Sequence, residues 1–306
     1  MLAPMQGLTN RALRGLFVEK VRPDVVFTEF VRIRAGARKV ISVGDRAEVA
    51  AISGETPLVV QLIGADVPAL AAAADIVQEL GGEHLNINLG CPYGRMGSNS
   101  AGGALLRDPV GLAKMLVVLR RHIAGGFSVK VRSGFDDPGQ VLTLLAVFED
   151  CGVDFIIIHP RTVLQKYNGP ADHQITAEAV CNTRLPVIAN GDIFTAADGK
   201  RVAAQTGAAG LMMGRGAIAD PLLFQRLRGE YRAVSEPAER LVELQEYLST
   251  LLPRYRQLFC GDQQVLCKMK EVLSQVREPA LTKPVRGLLR CRNLLRFGEM
   301  LAELVS

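Results

Sequence analysis

The chain has 306 residues, of which 48% are hydrophobic, so it can form one large α/β domain with a smaller appendage, and it is not a disordered chain. Its formal net charge is +5, and the whole excess lies in residues 253–306, where ten Lys and Arg residues accompany five Asp and Glu residues. No apolar run approaches the ~18–20 residues that span a bilayer, and no signal-peptide pattern opens the sequence, so we expect a soluble, cytoplasmic protein without a membrane partner.

The six cysteines argue against two common kinds of site. They include no CxxC pair and no tight cluster, which disfavours a zinc site or a disulfide framework and suits a reducing compartment. We therefore expect no metal. The basic segment 253–306 has two interpretations, a docking surface for a polyanion or an ordinary solvated helix face, and charge alone leaves both open.

Strand and helix patterns alternate as far as residue 213. Short β-branched or apolar runs are separated by amphipathic stretches, which predicts parallel strands joined by right-handed crossovers. Eight such strands favour a closed (β/α)₈ TIM barrel; a doubly wound open sheet is the alternative, although no GxGxxG follows the first strand. The predicted strands are at 2–4, 25–28, 58–63, 84–89, 127–132, 154–159, 186–189 and 209–213. The predicted helices between them are at 67–80, 109–123, 138–150 and 195–205.

The pattern changes near residue 237. Three stretches with helical periodicity follow, without a strand signal. We predict a TIM-barrel domain at 1–236 and a small all-helical domain at 237–306, which is also the basic part of the chain. The prolines that punctuate the helical part are Pro237, Pro253, Pro279 and Pro284.

Polar side chains occupy the carboxyl ends of five consecutive predicted strands. In a barrel the active site lies at these ends, whereas strand interiors are usually Val, Ile and Leu. Each buried polar group costs on the order of 1–3 kcal/mol unless it is paired, so five such strands in a row favour a functional site. The residues are Gln61, Asn86, Asn88, Lys130, Arg132, His159, Arg161 and Asn190.

Two glycine-containing loops follow the seventh and eighth predicted strands. Barrels often bind a ligand phosphate there, and glycines allow backbone N–H groups to approach the phosphate oxygens. Arg215 would add a charge-assisted contact. The pattern suits FMN, and a sugar phosphate is the alternative. The two loops are Asn190-Gly191-Asp192 and Gly214-Arg215-Gly216-Ala217.

Cys91 ends the fourth predicted strand, in the stretch NINLGCPYGRMGSNSAGGALL. Gly90 and Pro92 predict a tight turn, and the glycine-rich stretch beyond them predicts a mobile lid. A thiol on such a loop can act as a general acid, and the alternative is a small buried apolar residue. The other five cysteines fit the second interpretation, and we expect His122 and His173 on the surface.

Eight short motifs, in order along the chain, resemble those of the tRNA-dihydrouridine synthases. The likeness covers essentially the whole chain, including a helical carboxyl-terminal part, and the NxGCP element with its glycine-rich lid is the most specific. The motifs are Pro4-Met5-Gln6-Gly7, Gln61-Leu62-Ile63-Gly64, Asn88-Leu89-Gly90-Cys91-Pro92, Gly102-Gly103-Ala104-Leu105-Leu106, Lys130-Val131-Arg132, His159-Pro160-Arg161-Thr162, Asn190-Gly191-Asp192-Ile193 and Gly214-Arg215-Gly216.

The resemblance implies FMN in the barrel mouth, NADPH as reductant and tRNA as the substrate of a monomer. It also implies that lysine favours negative charge on the N1–O2 edge of the reduced flavin. By motif, it assigns Pro4, Met5, Gln6, Gln61, Lys130 and His159 to the flavin, Asn190, Gly191, Asp192, Gly214 and Arg215 to the ribityl phosphate end, and Asn88 and Arg132 to the target uridine.

Two stretches bear on the subfamily. Thr28-Glu29-Phe30-Val31-Arg32 is most similar to the enzymes that modify uridine 16 of tRNA, which places Arg32 near the target nucleotide, whereas residues 160–175 depart from them. His159-Pro160-Arg161 departs from the HGR or HAR usual in the family and keeps both outer residues.

The reaction that the resemblance implies is reduction of a D-loop uridine that is flipped into the mouth. Hydride passes from flavin N5 to uracil C6, Cys91 protonates C5, and basic side chains of 253–306 hold the tRNA backbone. The alternatives are an FMN barrel acting on a free pyrimidine or dihydroorotate, an RNA-binding protein without activity, and a sugar-phosphate isomerase.

Overall fold

A closed parallel barrel forms the centre of the protein, for which a computed structural model describes residues 1–51, 54–92 and 101–305. From β3 onward each strand pairs in parallel with the next along the chain, and β1 and β2 below form two halves of one barrel position, since both pair with β3. The strands are β1 (Val26–Phe27), β2 (Val31–Arg32), β3 (Leu58–Ile63), β4 (His84–Leu89), β5 (Gly126–Arg132), β6 (Phe155–His159), β7 (Val187–Asn190) and β8 (Gly210–Met212).

Leu2 closes the sheet into a barrel. It forms parallel bridges with Val26 on one side and Met213 on the other, so the first and last strands are joined. The predicted strand at 2–4 is therefore reduced to a single bridging residue. Pro4 follows almost at once and lacks the N–H group that a longer ladder would use. The predicted (β/α)₈ fold is confirmed.

Helices cover the outside of the barrel and make up the region beyond it. The four predicted barrel helices match α3, α4, α5 and α7 to within two residues at each end. The helices are α1 (Arg11–Lys20), α2 (Val43–Val49), α3 (Val67–Glu79), α4 (Pro109–His122), α5 (Gln140–Asp150), α6 (His173–Asn182), α7 (Ala196–Thr206), α8 (Arg215–Ala219), α9 (Leu223–Arg228), α10 (Pro237–Leu258), α11 (Asp262–Leu273), α12 (Thr282–Arg290) and α13 (Leu294–Ala302).

Side-chain caps explain where several of these helices begin. Asp66 accepts a hydrogen bond from the N–H group of Ala69, and Asp108 accepts one from Gly111. Each of these carboxylates satisfies a backbone donor that the first turn leaves without a helical partner, and a proline in that turn needs none. The strand-to-helix boundaries are therefore encoded locally.

Alternation along the strands places polar side chains inside the barrel at its carboxyl-terminal end. Outward residues such as Val60, Ile87 and Val129 are buried against the helices. On several strands, the next inward side chain toward the carboxyl end, two residues after the apolar one, is polar. The strand register places these polar side chains at the same height in the barrel. The inward apolar layer below them consists of Ala3, Phe27, Val59, Ile157, Ile188 and Met212.

The helical region, residues 237–305, begins with α10 at the residue where the sequence pattern changes. Its helices share one buried cluster with the barrel, in which Phe17 of α1 and Phe224 of α9 join Leu248 and Met269. The division into two domains at 236/237 stays a prediction, because this shared core makes the region continuous with the barrel. Within the described ranges, no helix combines the length and the apolar character needed to cross a bilayer.

Pro253 lies inside α10 and, unlike the other three prolines of this region, does not mark a helix start or a turn. An interior proline removes one helical hydrogen bond and costs about 3 kcal/mol. Leu248, Leu251 and Tyr255 are buried on both sides of it, so packing of one continuous apolar face keeps the helix intact.

Candidate active site

Four side chains form a chain of hydrogen bonds across the inside of the barrel mouth. Gln61 donates from Nε2 to Asn86 Oδ1 at 2.8 Å and accepts at Oε1 from Asn88 Nδ2 at 2.9 Å. Asn86 donates in turn to Ser128 Oγ at 2.8 Å. These groups are buried, so the bonds satisfy polar atoms that would otherwise destabilise the barrel, and they fix the amide orientations.

Asn88 also shapes the turn that carries Cys91. Its Oδ1 accepts hydrogen bonds from the N–H groups of Gly90 and Cys91, at 3.0 and 2.9 Å. The Cys91 carbonyl accepts from Gly103 N at 3.2 Å, which ties the turn to the short 3₁₀ helix Gly102–Arg107. The thiol of Cys91 is therefore on a turn anchored to the barrel floor at the mouth. The predicted glycine-rich lid falls mainly on residues 93–100, outside the described residues.

Lys130 projects into the mouth from β5. Burial and then the positive charge of Arg132 lower the pKa of its ammonium to about 7, against a smaller opposing effect of Cys91. Its side chain still has surface open to the cavity, which Lys130 lines together with Met5 and Tyr167. With a pKa near neutrality, the Lys130 amine can be either protonated or neutral, and an anionic ligand favours the protonated, positively charged form.

His159, at the end of β6, is a neutral imidazole at physiological pH. Burial comes first among the causes, followed by the positive charges of Lys130, Arg132, Arg161 and others, and together they hold the pKa of His159 well below its usual value. Arg161 donates from Nη1 to His159 Nε2 at 3.0 Å, which leaves the imidazole proton on Nδ1. The mouth therefore carries a local excess of positive charge.

Asp192 is the carboxylate that partly balances this charge. It accepts hydrogen bonds from Arg161 Nη2 at 2.5 Å, Ala171 N at 2.8 Å and Arg215 Nη2 at 3.3 Å. Burial alone would raise the pKa of Asp192, but these bonds outweigh it and the pKa lies below its usual value. Two guanidinium groups thus share one carboxylate beside the loops after β7 and β8.

The backbone of these two loops leaves room for a ligand. Gly191 has φ of +121°, and a Cβ there would lie 3.1 Å from His159 Cδ2. Gly214 precedes α8, and a Cβ on it would lie 3.1 Å from Met5 Sδ. The φ of Gly191 favours glycine, and a side chain at 214 would crowd Met5, so the backbone itself forms part of the cavity wall. The first N–H groups of α8 have no helical acceptor and are available to an anion.

Arg132 is committed to the protein. Its guanidinium is buried and donates from Nε to the Gly90 carbonyl at 2.8 Å and from Nη1 to the Thr162 carbonyl at 2.9 Å. These bonds join the loop after β4 to the loop after β6. Tyr167, on that second loop, stacks 5.3 Å from the Arg132 guanidinium and 4.9 Å from that of Arg215.

The cavity gathers most but not all of the predicted site residues. Gln61 lies beneath the cavity floor, because its amide is engaged by two asparagines. Gln6 is exposed, and Arg32 lies 5.5 Å over the Phe30 ring on the rim. The predicted residues that line the cavity are Pro4, Met5, Lys130, His159, Asn190, Gly191, Asp192, Gly214 and Arg215.

Three site residues were missed by the sequence analysis. Ser128 faces inward two positions before Lys130, and the same alternation could have revealed it. Tyr167 is 48% exposed on an irregular loop, where no periodicity signals a role. His173, expected on the surface, is buried, with Nε2 2.9 Å from the Gly191 carbonyl, because it begins α6 next to the loop after β7.

The fold and the site together define a class: a (β/α)₈ barrel whose mouth joins a cationic polar floor to an anion-binding end, as in barrels that hold a phosphorylated cofactor. In the part of the chain that the structure describes, no group of three His, Cys, Asp or Glu side chains is arranged to hold a metal. The family model for dihydrouridine synthases matches residues 1–285, so the chain belongs to the dihydrouridine synthase family. The resemblance seen in the motifs is confirmed.

Relatives and structural neighbours agree with this assignment. A probable tRNA-dihydrouridine synthase of Rhodobacter capsulatus is 35% identical over 238 residues, 78% of this chain and 73% of the relative. A tRNA-dihydrouridine(16) synthase of Cupriavidus necator is 32% identical over 235 residues, 74% of this chain and 73% of the relative. Morphinone reductase, with a TM-score of 0.53 and 13% identity over 77% of this chain and 86% of its own, shares the fold.

Proposed function

We propose that this protein reduces a D-loop uridine of tRNA, uridine 16, to 5,6-dihydrouridine, with FMN as cofactor and NADPH as reductant. The observation that carries the proposal is a cavity at the carboxyl-terminal end of the barrel, lined by Lys130 and the glycine loops around Arg215, together with Cys91 on the turn after β4 at the same end of the barrel, although Cys91 does not line the cavity. Membership in the dihydrouridine synthase family and the names of the relatives support the substrate. The expected setting is cytoplasmic, where tRNA is available.

The phosphate end of the site fits FMN. Gly191 and Gly214 are positions where a Cβ would crowd the wall, and the N terminus of α8 supplies unpaired N–H groups. Arg215 would pair with the phosphate, while Asp192 keeps its guanidinium oriented. Asn190 donates to the Met212 carbonyl at 2.8 Å, which holds β7 and β8 in register beneath this end.

The ring end fits a flavin as well. Pro4 and Met5 line one side of the cavity, and Lys130 and His159 line another. When bound and reduced by NADPH, FMN supplies a hydride from N5 to C6 of the uracil. Lys130, protonated, favours negative charge at the N1–O2 edge, and neutral His159 presents an Nδ1–H donor without adding charge. Gln61 keeps the floor rigid beneath them rather than offering a free amide.

Cys91 completes the reaction by donating a proton to C5 of the uracil. The Asn88 carboxamide holds the turn, so the thiol is presented at the mouth on a fixed backbone. Arg132 binds the same turn at Gly90, and Tyr167 lies above it as an exposed aromatic surface for a base. Asn88 and Arg132 thus shape the uridine pocket, and Asn88 retains one N–H donor for the base itself.

The helical region offers the surface for the tRNA backbone. Residues 279–298 contain five basic residues and no acidic one. On α12, Lys283, Arg286 and Arg290 lie on one exposed face, opposite the buried Val285 and Leu288. A helix face with this charge binds phosphates through salt-sensitive contacts. Arg32 on the barrel rim would then meet the nucleotide that enters the mouth.

Incubation of the purified protein with FMN, NADPH and an unmodified tRNA transcript tests the proposal. We expect dihydrouridine to form with one NADPH oxidised for each uridine reduced, while free uridine and uracil at the same concentration are not turned over. Equal turnover of a free pyrimidine would assign the site to small substrates, and bound flavin without tRNA reduction would overturn the proposal.

A further inference from the structure

A turn at the barrel mouth carries Pro4 and Met5 to the cavity, with Gly7 at its tip. Backbone N–H groups of Leu8 and Thr9 donate to the Met5 carbonyl at 2.9 and 3.0 Å, which closes the turn on itself. Gly7 has φ of +84°, a conformation that favours glycine. Because the turn is a closed unit, whatever holds Gly7 also sets the position of the two cavity residues.

Two oppositely charged side chains hold the two sides of Gly7. Glu29 accepts a hydrogen bond from Gly7 N at 2.8 Å, and Lys268 Nζ donates to Gly7 O at 3.0 Å. Lys268 also pairs with Glu271 at 2.7 Å. Glu29 follows β1 of the barrel, whereas Lys268 lies on α11 of the helical region. Three distant segments of the chain therefore meet at one residue, whose two flanking peptide groups are both held.

The hydrogen bonds of Glu29 and Lys268 to Gly7 are partly buried and are not incidental surface contacts. Only 21% of the Lys268 side chain is exposed, and its Nζ lies 5.9 Å from the Phe259 ring centre. Burial raises the pKa of Glu29 to about 6, so its carboxylate is still charged at neutral pH. A Cβ at position 7 would lie 3.3 Å from Lys268 Nζ, which shows how closely the ammonium approaches the turn. Partly buried charges of this kind are kept where they hold a hydrogen-bond partner.

We propose that Lys268 is a positioning residue of the active site: by holding the Gly7 carbonyl, it fixes the turn that carries Pro4 and Met5 against the flavin. The helical region then completes the cofactor site in addition to docking RNA. The inference rests on the proposed function for the identity of the cofactor. It assigns a role to the helical region that is independent of RNA docking.

Four variants of the full-length protein test this role. Lys268→Met removes the ammonium, Lys268→Arg keeps a donor, and Glu271→Gln keeps the Lys268 ammonium but weakens the ion pair that orients it. Lys200→Met, an exposed lysine on α7 outside the site, is the matched control. The readouts are the rate of FMN release from the holoenzyme, followed by recovery of flavin fluorescence, and kcat and KM for the tRNA transcript.

We expect Lys268→Met to release FMN about three- to tenfold faster and to lower kcat, with KM for tRNA within about twofold of wild type, because one charge-assisted hydrogen bond is lost. Lys268→Arg restores most of the difference, Glu271→Gln shows a smaller change of the same sign, and Lys200→Met matches wild type. If Lys268→Met fails to fold, the FMN release rate and kcat of Glu271→Gln and Lys268→Arg test the inference instead.

Wild-type FMN release and kcat in both Lys268→Met and Glu271→Gln would overturn the inference, as would a change confined to KM for tRNA. The rate of FMN release distinguishes a failure of this inference from a failure of the proposed function, because it does not depend on tRNA. If wild-type protein reduced no tRNA uridine while Lys268→Met still released FMN faster, the substrate assignment would be wrong and the positioning role would stand.

Discussion

Asn88 shows how one side chain can serve both the scaffold and the chemistry. Its carbonyl oxygen accepts from Gly90 and Cys91, and one amide hydrogen goes to Gln61. Both lone pairs are therefore used, and one N–H remains for a base. Under the proposed function this donor would bind a uracil carbonyl, because the oxygen of the same side chain is already engaged by Gly90 and Cys91.

The proton-donor role of Cys91 predicts a selective defect. Cys91→Ala should retain FMN and be reduced by NADPH, but dihydrouridine formation should fall by about 10²- to 10⁴-fold, the range that general acid catalysis contributes. Single-turnover assays with pre-reduced enzyme measure this step. Cys181→Ala, which changes an exposed cysteine on α6, is the control. Unchanged turnover in Cys91→Ala would remove Cys91 from the mechanism.

Lys130 predicts a pH dependence of flavin binding. In the ligand-free protein its pKa is about 7, so the ammonium loses its proton as the pH rises above 7. Bound FMN favours the charged form, so binding takes up a proton. The Kd for FMN should therefore increase with pH above 7, by at most about tenfold per pH unit.

Lys130→Met supplies the matched comparison for this dependence. At pH 6 its Kd for FMN should be higher than that of the wild type. Between pH 6 and 9 the Kd of the variant should vary little, whereas that of the wild type should increase. Equilibrium titrations by flavin fluorescence measure both proteins. A wild-type Kd that stays flat across this range would show that Lys130 does not need its proton to hold the cofactor.

At the scale of elements, α12 is the clearest surface for RNA. Changing Lys283, Arg286 and Arg290 together to Gln should raise KM for tRNA and lower the slope of log Kd against log salt concentration by about two, since up to three phosphate contacts are lost. FMN affinity should not change, because α12 does not line the cavity. Lys114→Gln with Lys200→Gln, on outer barrel helices, is the control. An unchanged salt slope would place the tRNA elsewhere.

The elements that carry their own signal were predictable from the sequence. Strands β3 to β7 follow from short apolar and β-branched runs, and alternation within β4 and β5 predicted which polar side chains share a face at the mouth. Helix starts such as Asp66 and Asp108 are encoded in local caps.

What the sequence could not provide depends on contacts between distant segments. The strand at 2–4 shrinks to Leu2, since closure is a property of the whole barrel. Pro253 is carried within α10 by packing on both sides of it. His173 and Tyr167 lie on or beside a loop whose path follows from Arg132 and Arg161, and their neighbours are far away in sequence.

At the scale of the whole molecule, a buried ionic network fastens the barrel to the helical region. Arg226 of α9 pairs with Glu243 of α10 at 2.5 Å, and Arg240 of α10 lies 3.6 Å from the Asp220 carboxylate, which also pairs with Arg226 at 2.8 Å. Only 8% of the Arg240 side chain is exposed. Its carboxylate partners depend on it for compensation, so the network ties the two parts into one cooperative unit.

Removing one member of this network should therefore be costly. Arg240→Ala removes one of the two guanidinium groups that compensate the buried carboxylates of Asp220 and Glu243, and should lower the free energy of unfolding by about 3 kcal/mol. Arg296→Ala breaks an exposed pair with Glu299 and should change the free energy of unfolding far less, because solvent screens an exposed ion pair. Urea denaturation followed by circular dichroism measures both. Equal effects of the two substitutions would show that the network does not bind the parts together.

The measurement that tests the central claim most directly is dihydrouridine mapped by position in tRNA, after reaction of the purified protein with FMN, NADPH and unmodified transcripts. We expect dihydrouridine at position 16 alone with the wild-type protein, and no dihydrouridine with the Cys91→Ala variant. Product at another D-loop uridine would contradict the position assignment. Absence of product at every position, both in transcripts and in tRNA from cells lacking this enzyme, would contradict the claim that this barrel mouth reduces a tRNA uridine.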